Sequence, residues 1–367
     1  MIEFAKKLFP LNRSLTGKGN VKTLKFIKSQ LPNLQIKYFS SGEKVFDWKI
    51  PMEWNVQDAW LKDSRGKKIL NFKENNLVLL GYSKSINKVV NYKILKKNVH
   101  TLKSKPNAIP YLTSYYKERW GFCMKHKDFK KLDKNKNFHA YINSSLKKGK
   151  MHYGELKIPG KSKNEIFFST YICHPSMANN EVSGMVLSTF LAKHIFSKKN
   201  LKYSYRFIFI PETIGSVAYI KKNFSEMKKK IIAGYNITCV GDEGNFSLLF
   251  SKDENKLSDR FAKKVFKSKR LNYKKYSWLE RGSDERQYCS PLVDLPITTI
   301  MKTKFGEYKE YHTSLDKIGT VVTQKGLKES LRIYKTLIDE IEKTTIPKSK
   351  IVCEPFLTKY NLIDTLG

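Results

Sequence analysis

The stretch EIFFSTYICHPSMANNEVSG, residues 165–184, decides how the chain is read. It opens on an apolar run, Ile166-Phe167-Phe168-Ser169-Thr170-Tyr171-Ile172-Cys173, whose length and aromatic and β-branched content predict a buried central strand. His174-Pro175 ends the run, residues 176–180 form a mostly polar turn, and Ser183-Gly184 lead into residues 185–192 with helical spacing. A histidine at the carboxyl end of a buried strand, just before a helix, stands where open α/β sheets place their chemistry. Taken alone, a histidine at a strand end is more often a satisfied surface residue.

Working outward, strand and helix patterns alternate. Strands are expected at 205–210, 231–240 and 297–301, and helices at 216–224, 259–266 and 326–341. Strands separated by helical segments predict a mixed, mainly parallel central sheet flanked by helices. Residues 1–31 read as a helical pair broken near Pro10. The Arg13-Ser14-Thr16-Gly17 segment reads as a helix-linking turn, with a position at the site as the alternative.

Between 35 and 123 the pattern changes to short alternating runs separated by Gly, Pro, Asn and Asp, which predicts a small β-rich insert packed as a separate unit. Trp48, Trp54, Trp60 and Trp120 supply it with either an aromatic binding face or a core. Residues 125–136 form a basic polar linker, so 1–34 and 124–346 constitute the main domain and 347–367 a mixed tail.

Hydrophobic content of 40% and aromatic content of 13% exclude wholesale disorder. The net charge of +37 points to anionic partners, yet only nine of the 70 basic residues are Arg and the lysines are scattered. Phosphate and base readout favour clustered Arg forks, so specific nucleic-acid binding is not expected. Five cysteines without a CxxC pair argue against a disulfide framework or a thiolate zinc cluster and fit a reducing compartment. With no apolar run near about 18 residues and no signal-like start, the expectation is a cytoplasmic protein without a membrane span.

Several segments, in order, resemble the aminopeptidase-like proteins of the zinc-dependent exopeptidase superfamily: STYICHPSMANNEVSG, FIPETIGSVAYI, TCVGDEG, ERGSDERQYCSPLVDLP and EYHTSLD. The match is nearest to a bacterial branch associated with surface-polysaccharide biosynthesis. It extends through LNRSLTGKGN, SGEKVFDWKIPMEW and IPYLTSYYKERWGFCMKH, and so covers nearly the whole chain. The resemblance implies an amide hydrolase with a small-molecule or peptide substrate; a homo-oligomer is a further candidate state. It also implies that the tail begins a winged-helix-like domain.

It further implies roles for individual residues. His174 and His312 match the superfamily's first and last metal histidines, and Glu212 falls where the superfamily has consecutive glutamates, base then ligand. Glu212 is read as the general base. Asn180 stands at the position of the bridging aspartate and Thr238 at that of a second one. A neutral amide is a poor zinc ligand, so one Zn²⁺ is expected, held by His174 and His312 near Asn180 and completed by Glu181, Asp242 or water. The charged loop 280–286 reads either as a surface ion-pair network or, by the resemblance, as the rim of the metal site, where Asp284 could orient a histidine and Arg281 or Arg286 could receive a substrate carboxylate or phosphate. Glu307, Glu310 and Asp316 are candidates to support His312. The alternative is a catalytically impaired protein that keeps the fold to bind a ligand or partner.

Overall fold

The computed structural model describes residues 1–347 and 349–363. Its centre is an eight-stranded mixed sheet in the spatial order Gln35–Ser40, Lys150–Ile158, Ser204–Ile210, Glu165–Tyr171, Ile231–Asn236, Ile297–Met301, Phe246–Leu249, Tyr273–Tyr276. The four middle strands are mutually parallel. Every residue of Glu165–Tyr171 is buried, as a strand covered on both faces must be.

Alternation along that strand assigns the two layers. Ile166 and Phe168 point into a core shared with Met185, Phe261, Leu327 and the amino-terminal Phe4 and Leu24. The helices Ser183–Phe196, Leu257–Ser268 and Gln324–Lys343 cover this face. Phe167 points the other way, against Tyr219 and Tyr288. There the helix Ile214–Lys230 covers the sheet. Each fully buried aromatic or aliphatic side chain contributes about 1.5–3 kcal/mol, and this strand buries Ile166, Phe167, Phe168 and Tyr171. Arg206 and Glu165, whose side chains are almost wholly buried, pair across neighbouring strands at 2.6 Å, with Glu226 a further partner of the same guanidinium at 2.9 Å.

Helix bounds extend beyond the sequence reading, to Ile214–Lys230, Leu257–Ser268 and Gln324–Lys343, while the strand expected over 231–240 stops at Asn236. Two strands change sides. Gln35–Ser40, expected in the insert, pairs antiparallel with Lys150–Ile158 at the edge of the central sheet. Asn137–Lys147, expected in the main domain, pairs with Glu53–Lys62 and Ile86–Asn91 in a second, four-stranded sheet. The expectation that everything from 35 onward stands apart from the central sheet therefore fails at its first strand. A local pattern reports that a strand exists but not which edge it joins.

The core of the four-stranded sheet, with Trp54, Leu61 and Phe138, is continuous with the Tyr219 face of the central sheet. Trp54 is buried there, stacks on Tyr82 and donates to the Ser83 carbonyl at 2.9 Å. Trp48 is exposed, so the tryptophans do not form one face. Part of the tail, Lys348 and residues 364–367, lies outside the described residues. No helix among the described residues is long and apolar enough to cross a membrane.

Gly184 sets how closely the Ser183–Phe196 helix approaches the sheet. A Cβ there would lie 2.4 Å from the Ile237 carbonyl oxygen and 2.6 Å from Thr170 Oγ1. Backbone cannot yield as a flexible side chain can, so Gly184→Ala is expected to cost about 1–3 kcal/mol. A fall in the urea midpoint at unchanged m-value checks it.

Candidate active site

The residues singled out from the sequence converge at the carboxyl ends of the parallel strands. His174 follows Glu165–Tyr171 after two residues, and Glu212 follows Ser204–Ile210 after one. His312 arrives from the loop after the last parallel strand, with φ 52°. Positive φ is uncommon for residues other than Gly, and Ser176, Thr213 and Cys239 adopt it in the loops that follow three of the parallel strands. Such strain persists only where surroundings over-determine the backbone.

His174 is fixed from three directions. Its backbone N–H donates to Glu181 Oε1 at 2.7 Å, its carbonyl accepts from Arg13 Nε at 3.0 Å, and its Nδ1 lies 3.8 Å from Glu181 Oε1. Arg13 and Glu181 are themselves an ion pair at 2.8 Å with both side chains inaccessible. Arg13 thus belongs to the site, against the reading as a plain turn, and Glu181 is spent on Arg13 and the His174 backbone. Opposite Glu181, His174 Nε2 faces Glu212 Oε2 at 3.7 Å. Ser283 Oγ donates to the other oxygen of Glu212 at 2.7 Å. Burial raises the Glu212 carboxyl above its ordinary pKa, opposed by His174, the Ser283 hydrogen bond and Arg286.

Asn180 sits in a single π-helical turn, Ala178–Val182, that opens the Ser183–Phe196 helix; such turns recur at functional sites. Its hydrogen bonds have one consistent direction. Thr238 Oγ1 donates to the Asn180 carbonyl at 2.9 Å, so Tyr171, which also bonds Thr238, must be the donor of that pair. The Tyr171 oxygen accepts from Asn180 Nδ2 at 2.8 Å, which leaves Asn180 Oδ1 facing His312 Nε2 at 3.2 Å. His312 is therefore the donor at Nε2. Burial, and then His174, hold its pKa down at about 3, so the imidazole is neutral.

The Asn180 turn and the His312 loop are joined by Asp316, whose carboxylate accepts the backbone N–H groups of Asn179 at 2.8 Å and Asn180 at 3.1 Å. Tyr308 donates to it as well.

Other candidates fall elsewhere. Asp242 accepts from Asn179 Nδ2, Gly244 N and Thr303 Oγ1, all within 2.9 Å, and so organises a loop. Glu307 binds the Tyr276 hydroxyl. Arg281 is exposed and stacks on Trp278, which keeps it out of the site. Arg286 reaches inward and donates to Thr213 Oγ1 at 2.7 Å. A larger open cleft of about 800 Å³, lined among others by Lys68, Lys131, Lys136 and Lys317, shares none of these residues.

Sequence reasoning missed the aromatic wall. Tyr111 lies 4.9 Å from the His174 ring and 5.3 Å from the His312 ring, and Tyr311 stacks on His312 at 4.0 Å. Tyr111 comes from the β-rich segment, whose backbone docks on the His312 loop through Tyr111 N to His312 O and a reciprocal Ile109–Ser314 pair. IPYLTSYY carried no signal beyond its aromatic content.

The donor set does not fit two ions. The positions matched to superfamily metal carboxylates hold Asn180, Thr238 and, beside Glu212, Thr213, all neutral; Glu181 and Asp242 are committed to other partners. It fits one ion. His174 and Glu212 face each other, the two histidine rings lie 5.5 Å apart, and the Glu181 carboxylate holds the His174 backbone.

The mixed central sheet flanked by helices is an aminopeptidase-type fold. The chain belongs to the family described as "Domain of unknown function (DUF4910)", whose model matches residues 2–344. A Clostridium acetobutylicum protein, named as a candidate polysaccharide biosynthesis protein with an aminopeptidase-like domain, is 40% identical over 99% of this chain and 82% of its own length. A crystal structure of a candidate peptidase from that organism superposes with TM-score 0.90 at 40% identity, over 98% of this chain and 84% of that one. A zinc aminopeptidase of Bacillus subtilis shares the fold at TM-score 0.65 and 13% identity, covering 94% and 95%.

Two outcomes follow from the buried charges. Arg13→Met strands Glu181 without its counter-charge and is expected to cost about 3–5 kcal/mol; adding Glu181→Gln should recover part of it in denaturant melts. Asp284, fully buried, accepts from Thr213 N and Ser216 Oγ. Burial, then the neighbouring Glu212, raises its pKa from 3.8 to about 8. A folded pKa above the unfolded one means the ionised form opposes folding, so stability is lost as pH climbs from about 4 towards 8. The stability of Asp284→Asn relative to the parent should therefore rise between pH 5 and pH 8, read as a widening difference in melting temperature.

Proposed function

We propose that this protein hydrolyses an amide bond, either an amino-terminal peptide bond or an acyl-amide on a sugar precursor, with one zinc ion at His174 and Glu212 as general base. The observation that carries the proposal is the pairing of buried His174 with half-buried Glu212 at the ends of two parallel strands. The zinc-aminopeptidase fold and the polysaccharide-related name of the Clostridium relative support the choice of reaction and setting.

The residues divide the work as follows. His174 is the principal ligand, its backbone held by Glu181 and Arg13. A zinc ion bound there supplies Lewis-acid polarisation of the carbonyl and lowers the pKa of water towards ~7. Glu212 is held by Ser283 through one oxygen, so its Oε2 is the atom that takes a proton from the attacking water and returns it to the leaving amine. Burial makes that carboxylate a stronger base than a solvated one. Tyr111 and Tyr311 keep bulk water from the histidines. Arg286 offers a cation beside Thr213 for a substrate carboxylate or phosphate.

A second reading, a fold-keeping protein that binds a ligand or partner without turnover, is favoured by one observation. Asn180, Tyr171 and Thr238 satisfy one another without any charge, an arrangement that needs no metal. Elemental analysis of protein purified without chelator separates the two, followed by a screen of zinc-loaded protein against aminoacyl amides and N-acyl amino sugars. On any substrate found, Glu212→Gln should keep zinc at parental stoichiometry and lower turnover by ~10²–10⁴. Metal-free protein with no turnover on zinc addition would leave the binding reading standing.

A further inference from the structure

The one-metal reading leaves a charge problem. A divalent ion in a buried site needs anionic donors or neighbours, because an uncompensated charge away from water costs several kcal/mol. Glu212 provides one negative charge. Glu181 is neutralised by Arg13 at 2.8 Å, Asp316 is turned to the backbone of Asn179 and Asn180, and Asp242 serves its own loop. Asn180, Thr213 and Thr238 offer only neutral oxygens.

Asp284 is turned to Thr213 N and Ser216 Oγ, and a remaining group beside His174 able to become an anion is the Cys173 thiol. It precedes His174 directly, where the strand has ended and side chains no longer alternate strictly. Cys173 Sγ lies 3.4 Å from His174 Nδ1 and accepts the Glu212 backbone N–H at 3.3 Å. One donor atom from each of Cys173, His174 and Glu212 lies within 4.8 Å of the other two. Bonds of about 2.3 Å to sulfur and about 2.0–2.1 Å to imidazole nitrogen allow a single ion to be reached by all three after small side-chain adjustments.

We propose that Cys173 is a metal ligand, so that one thiophilic divalent ion is bound by Cys173 Sγ and His174 with Glu212 facing it. This rests on the one-metal reading above. On binding, the S–H bond breaks, the Sγ–metal bond forms, and the proton leaves to solvent. The thiolate and the Glu212 carboxylate together balance the ion's two charges. A sulfur donor selects Zn²⁺ or Co²⁺ over Mg²⁺ and Ca²⁺, which sets this centre apart from an all-carboxylate and histidine site.

The test uses the full chain carrying Cys353→Ser, which removes the exposed thiol, loaded with Co²⁺ under reducing, oxygen-free conditions. The expected result is one Co²⁺ per chain with a thiolate-to-cobalt charge-transfer band in the near ultraviolet, lost in Cys173→Ser. X-ray absorption of the Zn²⁺ form should show one sulfur at about 2.3 Å, a readout that does not depend on the Cys173 variant folding. Stoichiometric Co²⁺ without the band, and a zinc shell of nitrogen and oxygen alone, overturns the role of Cys173 and leaves the one-metal reading intact. Failure to bind either ion overturns both.

Discussion

The site depends on one buried ion pair. Glu181 and Arg13 meet at 2.8 Å with no solvent access, and between them they hold both backbone polar groups of His174. Desolvating two charges is repaid only when the geometry is good and the remaining donors and acceptors are satisfied. Here that repayment doubles as positioning. Because Arg13 lies between the first two helices and Glu181 in the turn before the Ser183–Phe196 helix, the pair also ties the amino terminus to the end of the central strand. The position of His174 is therefore a property of the fold, not of its own loop.

A comparable tie governs His312. Asp316 sits four residues beyond it and accepts the amides that open the Asn180 turn, an orientation that suits a carboxylate at the start of a helix. Tyr111 closes the arrangement from the β-rich segment by hydrogen bonding to the His312 carbonyl. The second sheet thus does more than decorate the first: its core is continuous with one face of the central sheet, and one of its connecting loops forms a wall of the site.

Much of this was legible in the chain because the central strand is encoded locally. The apolar run from Ile166 to Cys173, rich in aromatic and β-branched residues, is of strand length, and the abrupt change to HPSMANN marks its carboxyl end. The resemblance then identified His174, Glu212, Asn180 and His312, which the fold does bring together. What stayed hidden is what depends on long-range pairing. Gln35–Ser40 buries only Phe39, and only its ladder with Lys150–Ile158 gives it to the central sheet. Tyr273–Tyr276, with two exposed lysines, carries almost no apolar signal. Arg13 could not be distinguished from a surface arginine without its carboxylate, 168 residues away. Cys173 was one of five scattered thiols until the strand end put it beside His174.

The residue at position 180 and the number of ions the site can hold are physically coupled. Asn180 is satisfied by partners that carry no charge: Tyr171 and His312 at its side chain, and Thr238 at its carbonyl. A buried neutral network costs little once every member is paired. A carboxylate in the same place would accept from His312 but would lose the donor that now binds Tyr171, and its charge would have no nearby counter-ion except a metal. The sequence has the neutral partner set throughout, with threonine at 238 and 213 as well as asparagine at 180. Each replacement makes the others less costly, because each removes charge that a second cation would otherwise have to balance. A site built in this way is self-consistent with one ion or none, and the carboxylate nearest His174 that is not committed to a buried cation is on the Glu212 side.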